Sequence, residues 1–436
     1  MQTTQNPYTL VWFSTNLRIQ DNAVLNHALQ LNQPVIAIYC FDPRRYSEIK
    51  YGFKKTEKYR ARFTIESVQD LKQQLATLNI PLFVFNEQPE IAIPNLCSIY
   101  EITDICFQKE FTQEELDVCM HLKSHVSENM KWHEILDQFL FHPDDVLTKF
   151  EQIPKVFTNF RKVLEKQSHV RPLIFSKKQT AFPIENYTRI PSLETLGFSD
   201  FETTVHSAFP FSGGETAAQN RLNTYVFETK KIGFYKKTRN GLLGVDYSSK
   251  FSTWLANGCI SARQIYWAIK DFETEHFKNE STYWLIFELI WRDFFKYIAW
   301  QHGNALFQID GINKNTYEWK SDPELIQKWC SGTTAEPFVN ANMIELNKTG
   351  WMSNRGRQNV ASYFSKTLEL DWRIGAAYFE SLLIDYDVHS NYGNWLYVAG
   401  VGNDPRNRTF NVKLQAERYD GHGKFQKRWL QNTLFE

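Results

Sequence analysis

The periodicity of this chain changes once, and that change limits the folds open to it. Up to about residue 135, short runs rich in β-branched and aromatic residues (Thr9–Phe13, Pro34–Phe41, Pro81–Phe85) are widely separated, and Glu57–Leu78 between two of them repeats apolar residues at helical spacing. Strands that far apart, with a helix between them, are joined by crossovers and lie parallel. After Gly213-Gly214 the strand pattern is gone, and helical periodicity runs to Trp429. The expected architecture is an α/β N-terminal domain with a parallel Rossmann-like sheet (residues 1–135), a long connector (136–208) and an all-α C-terminal domain (209–436). No GxGxxG turn follows the first strand, so a dinucleotide at that usual position is not supported.

Charge is balanced over the whole chain, 49 basic against 49 acidic side chains, which excludes a uniformly basic surface. By segment it is uneven: the first 130 residues carry 12 basic and 15 acidic side chains, and 141–189 carry 9 and 5. That basic stretch reads as a solvated linker or as a phosphate-contacting segment. Six cysteines without a CxxC pair read as reduced thiols, and His121 and His125, four apart, lack a further ligand nearby, so no metal is expected. No apolar run of about 18 residues spans a membrane and the polar start shows no leader, so a cytoplasmic protein is expected. Tryptophan is skewed, with 11 of the 13 lying beyond residue 250.

Several constellations could carry chemistry. Ser248-Ser249-Lys250-Phe251-Ser252 precedes an apolar helix, where hydroxyls, one lysine and free N–H groups suit a phosphate or simply cap the helix. In Trp284–Trp300, Glu288, Trp291, Arg292 and Phe295 share one helical face, lining a pocket or forming a surface i,i+4 ion pair beside an apolar stripe. Thr349–Ser362 concentrates Asn354, Arg355, Arg357, Gln358 and Asn359, and Asp385, Asp387 and Asn391 follow. Arginine and aspartate in such a set pair if buried, because an unpaired buried charge is too costly.

These motifs, with LVWFSTNLRIQDN at 10–22, KTEKYRARFTIESVQDL at 55–71, SSKFSTWLANGCIS at 248–261, TGWMSNRGRQNVASYF at 349–364 and DWRIGAAYFESLLIDYDVHSNYGNW at 371–395, occur in order along nearly the whole chain. In them the sequence resembles the photolyase/cryptochrome family, and most closely its DASH-type cryptochromes. The resemblance implies a U-shaped FAD in the helical domain, held by Tyr235, Ser248, Ser249, Lys250, Phe251, Ser252, Arg357, Asp385, Asp387 and Asn391, the last facing flavin N5. It implies an indole relay, Trp395, Trp372 and Trp319, carrying electrons to the flavin. It implies 5,10-methenyltetrahydrofolate as antenna, bound at Glu110. The implied reaction is blue-light repair of cyclobutane pyrimidine dimers by electron transfer from excited FADH−, preferentially in single-stranded DNA, by a monomer.

The same resemblance assigns the dimer pocket to Glu288, Trp291, Asn354, Gln358 and Tyr397, with Trp291 and Tyr397 stacking on the lesion and Glu288 bonding a pyrimidine edge. Arg239 and Arg355 are expected to meet phosphates. Three departures stand out: Asn340 and Ile344 replace a charged pair usual in the family, and Asn16 replaces an aspartate. Structural effects only are expected of them. The alternative is a blue-light signalling receptor with little repair activity; only seven residues follow Trp429, where signalling members carry a long tail. A (6-4) photolyase needs a proton-donating histidine where Asn354 and Gln358 stand.

Overall fold

The three expected β runs become strands β1 (Tyr8–Phe13), β2 (Val35–Cys40) and β3 (Leu82–Phe85), and two unforeseen ones join them, β4 (Ile102–Gln108) and β5 (Lys131–Ile135). All pairings are parallel, in the order β3-β2-β1-β4-β5. The two extra strands escape the hydrophobic pattern for physical reasons. β4 (ITDICFQ) buries Asp104 among its apolar residues, and β5 (KWHEI) is an edge strand with little to bury. The computed structural model describes residues 7–404 and 406–431. The polar start read above for a leader, before residue 7, and the last residues of the tail lie outside them.

The stretch 136–208 is not a solvated linker. It forms helices Pro143–Val146 and Phe157–Gln167, and Phe157, Phe160 and Leu164 enter the main core. It then crosses the open edge of the sheet. Asn186 Nδ2 donates to Leu82 O at 2.7 Å, and Thr188 Oγ1 accepts from Val84 N at 2.9 Å, covering the exposed ladder of β3. Gln179 bonds both Val35 N and Val35 O.

From Glu215 to Leu430 the described chain is helical. The longest helix, Glu280–His302, begins in a capping box in which Asn279 accepts from Ser281 N and Thr282 N. It packs on Val388–Ala399, which in turn packs on Asn354–Ser362. The sheet and the helices are joined by a buried network: Arg18 pairs with Asp137, and Arg263 pairs with both Asp21 and Asp137. Each guanidinium meets carboxylates, which makes the burial tolerable. Much of the 10–22 motif therefore serves this junction. Asn16 is fully buried there and accepts from Ser14 N.

Candidate functional site

Strand order decides where a ligand can sit. Successive strands are added in opposite directions outward from β1 and β4, so the crevice at their carboxyl ends is the switch point of this open sheet. A cavity of about 650 Å³ lies there, lined by Thr15 after β1, by Gln108, Lys109 and Glu110 at the end of β4, and by helical residues opposite. Glu110 is held firmly: its carboxylate accepts from Thr15 Oγ1 at 2.9 Å, Gln108 Nε2 at 2.7 Å and Gln138 Nε2 at 3.0 Å.

The opposite wall combines Asp387, expected to hold the flavin, and Arg292, expected to line a pocket or pair with Glu288, with the unforeseen Lys296, Gln138 and His389. Lys296, fully buried, donates to Gln138 Oε1 at 2.7 Å and lies 3.2 Å from Asp387 Oδ2. Asp387 also caps Val388–Ala399 through Ser390 N at 2.8 Å. Burial alone would raise the Asp387 carboxyl, but the Lys296 ammonium and His389 outweigh it and hold the group well below the usual range. Arg292 donates to Gln138 O and Leu255 O and does not pair with Glu288. The i,i+4 ion pair considered from spacing is absent because Glu288 takes Arg239 instead, at 2.8 Å.

The residues expected to hold a flavin converge among the helices. Lys250 adopts φ 68°, a left-handed conformation costly for a side chain with a Cβ. Its ammonium is buried, has no hydrogen-bond partner among the described residues, and sits over the rings of Tyr247 (3.3 Å) and Trp351 (4.6 Å). Burial pushes its pKa well below the usual lysine value. Arg357 pairs with Asp385 at 2.9 Å and donates to Met352 O. Glu345, a residue sequence reasoning missed, is buried nearby with its carboxyl pushed up to about 8 by burial, against the pull of Lys250 and Arg357. Arg221 fixes the serine loop by donating to Ser248 O and Ser249 O. Phe251 and Tyr235 are buried and Ser252 is exposed. Asn391 Nδ2 donates to Ala376 O at 3.0 Å.

These groups fit FAD. A buried cation without an acceptor beside an Arg–Asp pair is unfinished as it stands and suited to an anionic, hydrogen-bonding cofactor. Gln358 Oε1 is likewise buried without a hydrogen-bond partner among the described residues.

Of the expected relay, Trp395 and Trp372 are buried, whereas Trp319 is partly exposed. Gly375 makes room for Trp395: a Cβ there would lie 2.3 Å from the indole. The bridge pairing Lys320 with Leu370 brings Trp319 to the start of the helix Trp372–Leu382. Trp329, fully buried, also lies 6.3 Å from Trp395 between ring centroids.

The expected lesion residues lie on adjoining helices. Trp291 has one face covered by Phe157, stacked at 3.7 Å, and meets Tyr397 edge-on at 6.1 Å. Glu288, with 26% of its side chain exposed, is bound to Arg239, one of the two arginines expected to meet phosphates. Arg355, the other, donates to Asn240 and lies over Tyr419. Asn354 is exposed. Asn340 closes a turn with Thr334, and Ile344 packs against Gly332, so both departures have local structural consequences.

Known proteins share this arrangement. Residues 9–180 match the family model for DNA photolyase, and residues 284–433 match the FAD binding domain of DNA photolyase. The chain is 46% identical over 424 residues to cryptochrome DASH of Gloeobacter violaceus, covering 97% of this chain and 85% of that one. It is 44% identical to cryptochrome DASH of Danio rerio, covering 95% and 81%. The solved cryptochrome of Synechocystis sp. PCC6803 superposes with a TM-score of 0.93 at 42% identity, covering 98% and 90%. An archaeal photolyase from Sulfolobus tokodaii, solved with two FAD molecules, gives 0.78 at 26% identity, covering 97% and 90%. No helix among the described residues is long and apolar enough to cross a membrane.

Proposed function

This chain belongs to the photolyase/cryptochrome family, among its DASH-type members, and on that premise we propose that it repairs cyclobutane pyrimidine dimers in DNA under blue light, preferring single strands. The observation that carries this reading is the buried Lys250 amine beside the Arg357–Asp385 pair. That amine has ring contacts but no hydrogen-bond acceptor among the described residues, and it suits an anionic cofactor. When bound, reduced FAD supplies the photoexcited electron that splits the dimer and takes it back.

The chain's own residues bind, orient and exclude water. Lys250 and the serine loop take the charged part of the cofactor, and Arg357 with Asp385 present a donor and an acceptor to its ring system. Asn391 offers an amide, which does not readily give up a proton at neutral pH. Trp395, Trp372 and Trp319 supply oxidisable rings from the interior to the surface. Partly exposed Trp291, with Tyr397, Asn354 and Gln358, receives a dimer turned out of the stack. That step costs a few kcal/mol in a duplex and little in a single strand. Glu288 is pre-positioned by Arg239 to accept from a pyrimidine edge. The cavity around Glu110 takes a pterin-type antenna, methenyltetrahydrofolate. We place the protein in the cytoplasm as a monomer with three parts, 1–135, 136–208 and 209–436.

The test is illumination of the photoreduced protein with dimer-containing oligonucleotides. Dimers are expected to disappear from single strands at least about tenfold faster than from duplexes, the equivalent of 1.4 kcal/mol. Dimers that persist in both substrates overturn the repair reading and leave a blue-light receptor.

A further inference from the structure

Three ligand-type side chains converge on one face of the sheet at its β4–β5 edge, and none of them lines the large cavity. The parallel register sets Cys106 of β4 across from His133 of β5. Residues so paired leave the sheet on the same face, one strand spacing apart. The helix Ala23–Gln30, which packs on β4, lowers His27 onto the pair. His27 Nε2 lies 2.9 Å from His133 Nδ1, and one ring nitrogen of each histidine and Cys106 Sγ all fall within 4.8 Å of one another. Asp104, two residues before Cys106 and therefore on the same face, is 2.8 Å from His133 Nε2. Its other oxygen is held by Thr103 Oγ1 and Gln33 Nε2.

The aspartate decides which nitrogen of His133 is available. With the Nε2 proton committed to Asp104, the ring presents Nδ1 as a lone pair, toward His27 and Cys106. An imidazole ligand backed by a carboxylate is the arrangement that orients histidine for a metal and raises its basicity. Two imidazoles and a thiol form a donor set for a borderline-to-soft cation and not for magnesium or calcium.

We propose that His27, Cys106 and His133 bind a zinc ion, with Asp104 as the positioning residue behind His133. Zinc bonds of about 2.0–2.1 Å to nitrogen and about 2.3 Å to sulfur imply donor separations of about 3.3–3.7 Å. Assembly therefore requires the imidazoles to part by a few tenths of an ångström and the thiol to close by about 1 Å. As the Zn–S bond forms, Cys106 releases its proton to solvent. In the metal-free chain His27 Nε2–H donates to the His133 Nδ1 lone pair. On binding, His27 gives up that proton to solvent and takes one at Nδ1, which frees its Nε2 lone pair for the metal, and water completes the fourth position. The ion joins an interior strand, an edge strand and the helix above them.

The test titrates the metal-stripped full chain, flavin bound, with Co²⁺ alone and reads difference spectra. One equivalent is expected to give a thiolate-to-cobalt charge-transfer band and intense four-coordinate d–d bands, both displaced by Zn²⁺. Cys106→Ser removes the charge-transfer band, and Cys119→Ser keeps it. His27→Gln lowers the affinity at least tenfold, and Asp104→Asn lowers it about 10- to 100-fold without removing the band. The flavin spectrum reports that each variant is folded, and should Cys106→Ser fail to fold, His27→Gln decides. Absence of a one-equivalent signal in the unaltered chain, a charge-transfer band that survives Cys106→Ser, or an affinity unmoved by His27→Gln overturns the proposal.

Discussion

The cavity at the carboxyl ends of the strands and the site among the helices treat their buried lysines in opposite ways. In the cavity, Glu110 accepts three hydrogen bonds and Lys296 is shared among Gln138, Asp387 and His389. Among the helices, Lys250 Nζ, Glu345 Oε2, Gln358 Oε1 and Trp395 Nε1 are buried without hydrogen-bond partners among the described residues. A buried polar group left unpaired costs about 1–3 kcal/mol, and more when charged. In the cavity Glu110, Lys296 and Asp387 are thus paired by the protein itself, although Gln108 Oε1, His389 Nε2 and Arg60 Nε are also buried without partners among the described residues. Lys250 at the helical site, by contrast, is folded at a cost that a ligand must offset.

That difference can be broken experimentally. The largest effect is expected on stripping flavin. At a thousandfold excess over Kd a bound ligand contributes about 4.1 kcal/mol, and the unfinished site loses this when emptied. Removing a folate from the cavity should lower stability by less than half as much, since Glu110, Lys296 and Asp387 keep protein partners without it. Denaturant melts of the three forms measure both, and equal losses would erase the distinction.

Asp387 is where the two regions meet, lining the cavity and starting the helix that carries Asn391 and Trp395. Asp387→Asn strands the buried Lys296 ammonium and should cost about 3–5 kcal/mol at neutral pH. Because the folded-state carboxyl lies below its ordinary value, its contribution is complete above about pH 4 and lost as pH falls below that. The acid limb of a stability–pH curve should therefore be shallower in the variant. An unchanged limb would mean that the pair contributes nothing. Gly375→Ala is a smaller perturbation, confined to the helical site. A methyl group aimed at the Trp395 ring should cost about 1–3 kcal/mol of overpacking, read by thermal melting of the holoprotein.

How much of this was legible in the sequence follows the same division. The α/β-then-α order came from periodicity. The polar residues of the helical site stood out in two dense motifs, and the resemblance singled out Arg357 and Asp385 as a pair, in agreement with the rule that buried opposite charges pair. What was missed depends on contacts between distant segments. Gln138, Lys296 and His389 meet only after the sheet docks on the helices. Glu345 looks like an ordinary helix residue until burial sets it near Lys250. β4 and β5 escaped because one buries an aspartate and the other lies at an edge. The same two strands bring Cys106 and His133 together across a gap of 26 residues.

The central claim is that Lys250 is an unsatisfied cation awaiting the flavin, and Lys250→Met tests it with one pair of melts and one binding isotherm. Replacing an unpaired buried charge by an apolar side chain of similar length should make the flavin-free protein about 1–4 kcal/mol more stable. The same change should weaken flavin binding at least about tenfold, the equivalent of 1.4 kcal/mol. A flavin-free variant that is less stable than the unaltered chain and binds flavin as tightly would contradict it.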